Sequence, residues 1–314
     1  MSKITILGDY ENVYAQSSHY DQIKNQGHEV EIYNTPLQTD HKIVNALKDA
    51  DVVVLMRERT HMNHFVLSSL PKLSLISQTG KGLNHIDKET ATNLGIKIVT
   101  TEGVSSQSVI ELTIGLIIAC ARQFPLHQEN LNSGRWDQLP GIELKGKRLG
   151  LIGFGNIGKG VARVANSIGM EVVAWRPRGP KGNEQRDFNV NILSLDEVLS
   201  TSDIISIHLR LTPEFVGIIN EAKLSLIKKR ALFINTSRGE LVNERALAKL
   251  LENKHLLGAG IDTFSNEPLQ DNPFQESTNT VLTPHIGYIT YDVLQRFADA
   301  SLINVERWLN NHKN

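Results

Sequence analysis

A chain of 314 residues exceeds the ~250–300 at which single hydrophobic cores usually stop growing, so two domains are expected. With 33 Lys+Arg against 34 Asp+Glu the formal net charge is -1, which excludes a composition suited to nucleic acid or an anionic membrane surface. One cysteine, Cys120, excludes an intrachain disulfide framework, and it reads as a small core residue. The N-terminus MSKITILGDY has no signal-peptide pattern, and no apolar run approaches the ~20 residues of a membrane span. A cytoplasmic protein with no membrane partner is expected.

Along the chain, short β-branched runs alternate with amphipathic segments. Strands are expected at 3–7, 29–33, 51–56, 73–79 and 96–101, with a helix at 41–48. A long apolar helix at 107–122 and an irregular stretch at 130–147 follow. The alternation then restarts, with strands at 148–152, 171–175, 204–208, 231–235, 257–261 and 281–284, and helices at 157–168 and 244–253. A last helix at 291–310 can cross back to the first module. Strands alternating with helices mean βαβ units, so the fold class is α/β with two doubly wound parallel-sheet domains. The expected boundaries are 1–102 plus 288–314 for one domain and 103–287 for the other.

The strongest local motif is Gly153, Gly155 and Gly158 in a G-x-G-x-x-G spacing, after one expected strand and opening a helix. That context makes it a dinucleotide loop: glycine lets the backbone approach the pyrophosphate, and the helix N-terminus supplies N–H groups and a positive dipole end. At the end of the next strand, NAD enzymes usually place a carboxylate for the ribose hydroxyls. Here Arg176 and Arg178 flank Pro177 and the carboxylate is missing. Arginine's planar fork suits a 2′-phosphate, so NADP is favoured over NAD, with solvated loop arginines as the alternative.

Three polar segments follow strands of the second module. They carry Arg238, then Asp262 and Glu267, then His285. The carboxyl ends of parallel strands border the ligand crevice, so residues distant in sequence can converge there. Their types fit one reaction. Arg238 can clamp a carboxylate and polarise the adjacent carbonyl, His285 can exchange a proton with the oxygen, and Glu267 can hold the imidazolium. No metal site is read.

These residues carry a resemblance over nearly the whole chain. The run 153–158, His208-Leu209, Asn235 to Gly239, Gly260 to Asp262, Glu267-Pro268 and Thr283-Pro284-His285 together resemble the D-isomer-specific 2-hydroxyacid dehydrogenases, the family that includes phosphoglycerate dehydrogenases and glyoxylate/hydroxypyruvate reductases. The resemblance implies Rossmann/flavodoxin-like domains, with 1–102 plus 288–314 binding substrate, 103–287 binding NAD(P), and the active site in the cleft between them. It implies a catalytic set of Arg238, Glu267 and His285. Asp262 is similar to the family Asp that contacts the nicotinamide amide, and Asn156 and Ile157 to its pyrophosphate contacts. Cofactor roles for His208, Thr236 and Gly287 follow from the same resemblance. Gly80-Lys81-Gly82 looks like the substrate-carboxylate loop, and Arg57 like a substrate contact, with an ion pair to Glu58 as the alternative. Lys81 replaces a small apolar residue there. The expected partner is a small 2-oxo or 2-hydroxy acid, and a homodimer through the apolar helix and the segment bearing Leu131 and Trp136. A nicotinamide-sensing, corepressor-like binding protein is the competing reading.

Overall fold

The computed structural model describes residues 1–101, 103–179 and 181–312. The chain divides into two compact units, Met1–Ser105 with Ile289–Asn314, and Ser106–Tyr288. The division lies a few residues beyond the expected one, and residue 102 itself is outside those described. Local packing explains the shift. The helix Ser106–Ala121 packs on the second unit's sheet, and Gly287 closes against Asp262 and Val109 of that unit. Thr290 caps the next helix by accepting from the Val293 N–H.

In the first unit, β1 (Lys3–Leu7), β2 (Glu29–Tyr33), β3 (Val52–Leu55), β4 (Leu75–Gln78) and β5 (Lys97–Thr100) form a parallel sheet in the order β2-β1-β3-β4-β5. The residues of β3 and β4 are buried throughout, as expected of a sheet covered on both faces. One cover is the helix Tyr291–Asn311, which buries Val293, Phe297, Leu302 and Val305 among others. Its Ser301 carbonyl accepts from Ser77 of β4 at 3.0 Å, so the C-terminal helix is part of this unit's core.

The second unit holds β6 (Arg148–Ile152), β7 (Glu171–Trp175), β8 (Val190–Ile192), β9 (Ile204–Ile207), β10 (Leu232–Asn235), β11 (Gly258–Ile261) and β12 (Thr280–Leu282), all parallel, in the order β12-β11-β10-β9-β6-β7-β8. Alternate residues feed two cores: Val173 and Phe233 pack on one face, Val172, Ala174, Leu232 and Ile234 on the other. β8 was not expected; three residues are too short to show a period. Part of the stretch read as irregular is also helical, since Phe124–Asn132 forms a helix.

The apolar helix Ser106–Ala121 buries Ile110, Leu116, Ile117 and Cys120 in its own unit's core. Burial pushes the Cys120 thiol up to about 12, so it stays an unreactive core group. Ile118 of this helix stays exposed, and further exposed apolar side chains follow at Phe124, Leu131 and Trp136, the last at 81%. Among the described residues no single helix is long and apolar enough to cross a membrane.

Candidate active site

The order of the second sheet reverses at β6, whose neighbours are β7 and β9, and the glycine loop leaves the sheet there. Gly153 has a φ of +101°, and a Cβ on it would lie 2.5 Å from the His208 carbonyl oxygen. His208 follows β9 and donates its N–H to the Ile152 carbonyl at 2.7 Å, so the two strand ends touch. A Cβ on Gly158 would lie 2.5 Å from the Gly153 carbonyl oxygen, while one on Gly155 would meet open space. Gly155 is the N-cap of the helix Asn156–Ser167, and no side chain caps it. The first-turn N–H groups of Asn156, Ile157 and Gly158 therefore face that opening, which is the arrangement a pyrophosphate needs. The residues present fit a dinucleotide. His208 Nε2 lies 2.9 Å from Ser206 Oγ, and burial pushes its pKa down to about 3, so the ring is neutral at pH 7. Thr236 is buried with its hydroxyl 3.0 Å from that of Thr113.

At the end of β7 the fold changes one expectation. Arg176 is not confronted by open solvent: its guanidinium pairs with Glu184, from the short helix Glu184–Asp187, and Lys159 pairs with the same carboxylate at 2.6 Å. A carboxylate from eight residues further along the chain thus stands beside Arg176. Arg178 is exposed.

The strand ends of β10, β11 and β12 bring Arg238, Asp262, Glu267 and His285 into one region of the second unit. Gly239 makes this possible, because a Cβ on it would overlap the backbone of Phe264 and Ser265. Asn235 organises the Arg238 turn by donating to the Arg238 carbonyl at 2.9 Å and accepting from the Ser237 N–H at 3.0 Å. His285 Nδ1 lies 2.7 Å from Glu267 Oε2, while Glu267 Oε1 accepts from the Phe264 N–H at 2.8 Å. Burial alone would raise the Glu267 carboxyl. The hydrogen bond and charge of His285, the Phe264 N–H and the charge of Arg238 outweigh it and hold the group below the ordinary carboxylate range.

Asp262 is 1% exposed and ties the His285 turn down. Its Oδ1 accepts from the Thr283 hydroxyl at 2.5 Å and the Ile286 N–H at 2.8 Å, and its Oδ2 from the Gly287 N–H at 3.0 Å. Burial pushes its carboxyl above the ordinary value against these bonds. Gly287 also receives the Ser108 hydroxyl on its carbonyl. Glu244 was missed in the sequence: it accepts from the Ser265 N–H at 2.9 Å and so fixes the turn that carries Glu267. Its signal was only that of an acidic residue in a helix's first turn, which is common.

In the first unit, Arg57 follows β3 and Gly80-Lys81-Gly82 follows β4, and the two loops pack closely. A Cβ on Gly80 would overlap the Arg57 guanidinium, and one on Gly82 the Glu58 carboxylate. Arg57 pairs with Glu58 at 3.4 Å and stands 5.6 Å from the Phe297 ring centre. Its N–H donates to Thr79 Oγ1 at 2.7 Å, and Gln78 Nε2 donates to its carbonyl at 3.0 Å. Lys81 is exposed, and the Gly80 N–H donates to Thr101 Oγ1 at 2.8 Å. His85, also missed, is buried against Gln78 Oε1 at 3.2 Å, and burial pushes its pKa down to about 4. Gln78, Thr79 and His85 escape a sequence reading because their polarity matters only once these loops are neighbours.

Known proteins resemble this chain in sequence and fold. The family model described as D-isomer specific 2-hydroxyacid dehydrogenase, NAD binding domain, matches residues 114–287. A D-3-phosphoglycerate dehydrogenase of Methanocaldococcus jannaschii is 38% identical over 255 residues, which are 80% of this chain and 48% of that one. The chain thus spans about half the length of that relative. A hydroxypyruvate reductase of Thermotoga maritima is 36% identical over 273 residues, 85% of this chain and 87% of the relative. A crystal structure of a phosphoglycerate oxidoreductase from Vibrio cholerae superposes with a TM-score of 0.87 at 32% identity, covering 99% of this chain and 100% of that one. With the glycine loop, the post-strand segments and these likenesses in agreement, the chain belongs to the D-isomer specific 2-hydroxyacid dehydrogenase family, and residues 114–287 are its NAD-binding domain.

Proposed function

We propose that the protein transfers a hydride between NAD(P)H and C2 of a small 2-oxo or D-2-hydroxy acid. The observation that carries this reading is the 2.7 Å pair of His285 and Glu267, on turns anchored by Asp262 and Glu244, in the same unit as the glycine loop. A nicotinamide bound at that loop supplies the hydride. Arg238 holds the substrate carboxylate and polarises the carbonyl beside it. Glu267 occupies Nδ1 of His285, which leaves Nε2 to give a proton to the substrate oxygen in reduction and to take it in oxidation. The edge-on Tyr288 ring, 5.8 Å from the imidazole centre, limits its tilt. The Gly80-Lys81-Gly82 amides and Arg57 serve as substrate contacts, with Lys81 adding charge at the loop tip. Asp262, Thr236, His208 and Gly287 shape the nicotinamide end of the cofactor site.

Arg176 favours NADP over NAD in this reading, since its fork suits a 2′-phosphate. The buried thiol of Cys120 suits a reducing cytoplasm. Exposed Phe124, Leu131 and Trp136 form the contact of a homodimer. Light scattering at micromolar concentration tests this last point: twice the monomer mass is expected, and a monomer rejects it.

The reaction is tested by a reductase screen of glyoxylate, hydroxypyruvate, phosphohydroxypyruvate and branched 2-oxo acids, with NADH and NADPH side by side. Turnover of at least one acid is expected. No turnover of any with either cofactor would reject the reading.

A further inference from the structure

Glu184 is a fixed anion rather than a mobile loop charge. Its carboxylate joins Arg176 on one oxygen and Lys159 on the other, and its side chain is only 13% exposed. The segment that carries it is fastened to the dinucleotide helix. Phe188 meets Phe154 edge-on at 5.7 Å, Lys159 and Arg163 lie 5.4 and 4.8 Å from its ring centre, and Asn166 donates to its carbonyl at 2.7 Å. Lys159 is in the first turns of the helix that Gly155 caps, and Arg176 directly follows β7. Both cations therefore belong to the adenosine end of a dinucleotide that enters by that loop.

We infer that Glu184 determines cofactor discrimination in this protein: it fills the Arg176 and Lys159 cations as an internal anion that a 2′-phosphate must replace or oppose. This rests on the reading of Gly153 to Gly158 as the dinucleotide loop. A phosphate monoester brings close to two negative charges and needs the guanidinium fork to itself. A ribose 2′-hydroxyl is neutral and can donate to a carboxylate, which is the role usually played by the acidic residue at this strand end. Arg176 thus attracts NADPH while Glu184 opposes it, and the wild type discriminates less than the two arginines in the sequence suggest.

The test needs no substrate. Calorimetry measures the binding of 2′,5′-ADP and 5′-AMP, which share the adenosine and differ by the 2′-phosphate. Glu184→Gln keeps the side chain's shape and removes its charge. The ratio of 2′,5′-ADP to 5′-AMP affinity should rise about 5–10-fold in that variant, the size expected for release of one partly exposed ion pair. In the Arg176→Ala background the same replacement should raise the ratio by less than it does with Arg176 present, because Lys159 is then the one cation left for it to release. With the intact enzyme, the NADPH to NADH ratio of kcat/KM should follow the binding ratio. An unchanged ratio in Glu184→Gln, or an equal rise without Arg176, would overturn the inference. Failure of either nucleotide to bind the wild type would instead overturn the dinucleotide reading on which it rests.

Discussion

In each unit a non-glycine residue of the candidate site sits in the left-handed region, His285 at a φ of 54° and Arg57 at 56°. That conformation costs an L-residue roughly 1–2 kcal/mol, so the surroundings must hold it in place. The two turns are held differently. Around His285 a buried carboxylate, Asp262, accepts two backbone N–H groups and a hydroxyl. Around Arg57 the holders are neutral, Thr79 and Gln78, and the charged arm is balanced by Glu58 on the surface side. Hydrogen bonds to an ionised acceptor are roughly twice as strong as neutral ones. Under the proposed roles, the difference is between a position that fixes a proton-transferring atom and one that selects what is bound. It also explains why the histidine turn tolerates the burial that pushes Asp262 above its ordinary pKa.

The comparison breaks most sharply at the His285 imidazole. His285→Ala should lower kcat by ~10²-fold or more, since a general acid typically contributes 10²–10⁴. Steady-state kinetics with the best acid of the screen measures it, and near-normal turnover would remove His285 from its role. Asp262→Asn comes next. Whichever way the amide is turned, its NH₂ faces a donor, either the Gly287 N–H or the Ile286 N–H. The variant should lose about 1–3 kcal/mol of stability, the cost of a buried unsatisfied group, and lose turnover through a displaced imidazole. Thermal unfolding and kcat should fall together; loss of stability with full kcat would make Asp262 structural only.

Arg57→Ala sharpens the other side of the comparison. If this residue binds rather than reacts, KM for a phosphorylated acid should rise about tenfold with kcat nearly unchanged, the signature of lost uniform binding. A fall in kcat alone would place Arg57 among the reacting groups. The smallest effect concerns pH. Glu267 is held below the ordinary carboxylate range by His285, so its ionised form contributes stability above its unfolded value, and that contribution is lost as pH falls through the lower folded value. Glu267→Gln should therefore narrow its melting-temperature deficit against the wild type as pH is lowered from 7 into that acid window. A melting-temperature deficit that stays the same across that window would show that the two residues are neighbours without being partners.

Much of this architecture is written in short segments. The short β-branched and apolar runs of β1, β2, β6 and β7 mark those strands to the residue, and the glycine spacing after β6 marks the dinucleotide loop, because both depend on near neighbours in the chain. The polar segments that carry Arg238, Glu267 and His285 are visible too, since strand ends in parallel sheets share one edge. The sequence did not contain the partnerships. That Glu184 answers Arg176, that Glu244 holds the Glu267 turn, and that Gly80 and Gly82 leave room for Arg57 and Glu58 follow from which strands become neighbours and how the loops beyond them pack. A charge pair is decided by separation in space, and the energy that sets that separation is spread over the core of each unit rather than held in the two residues that meet.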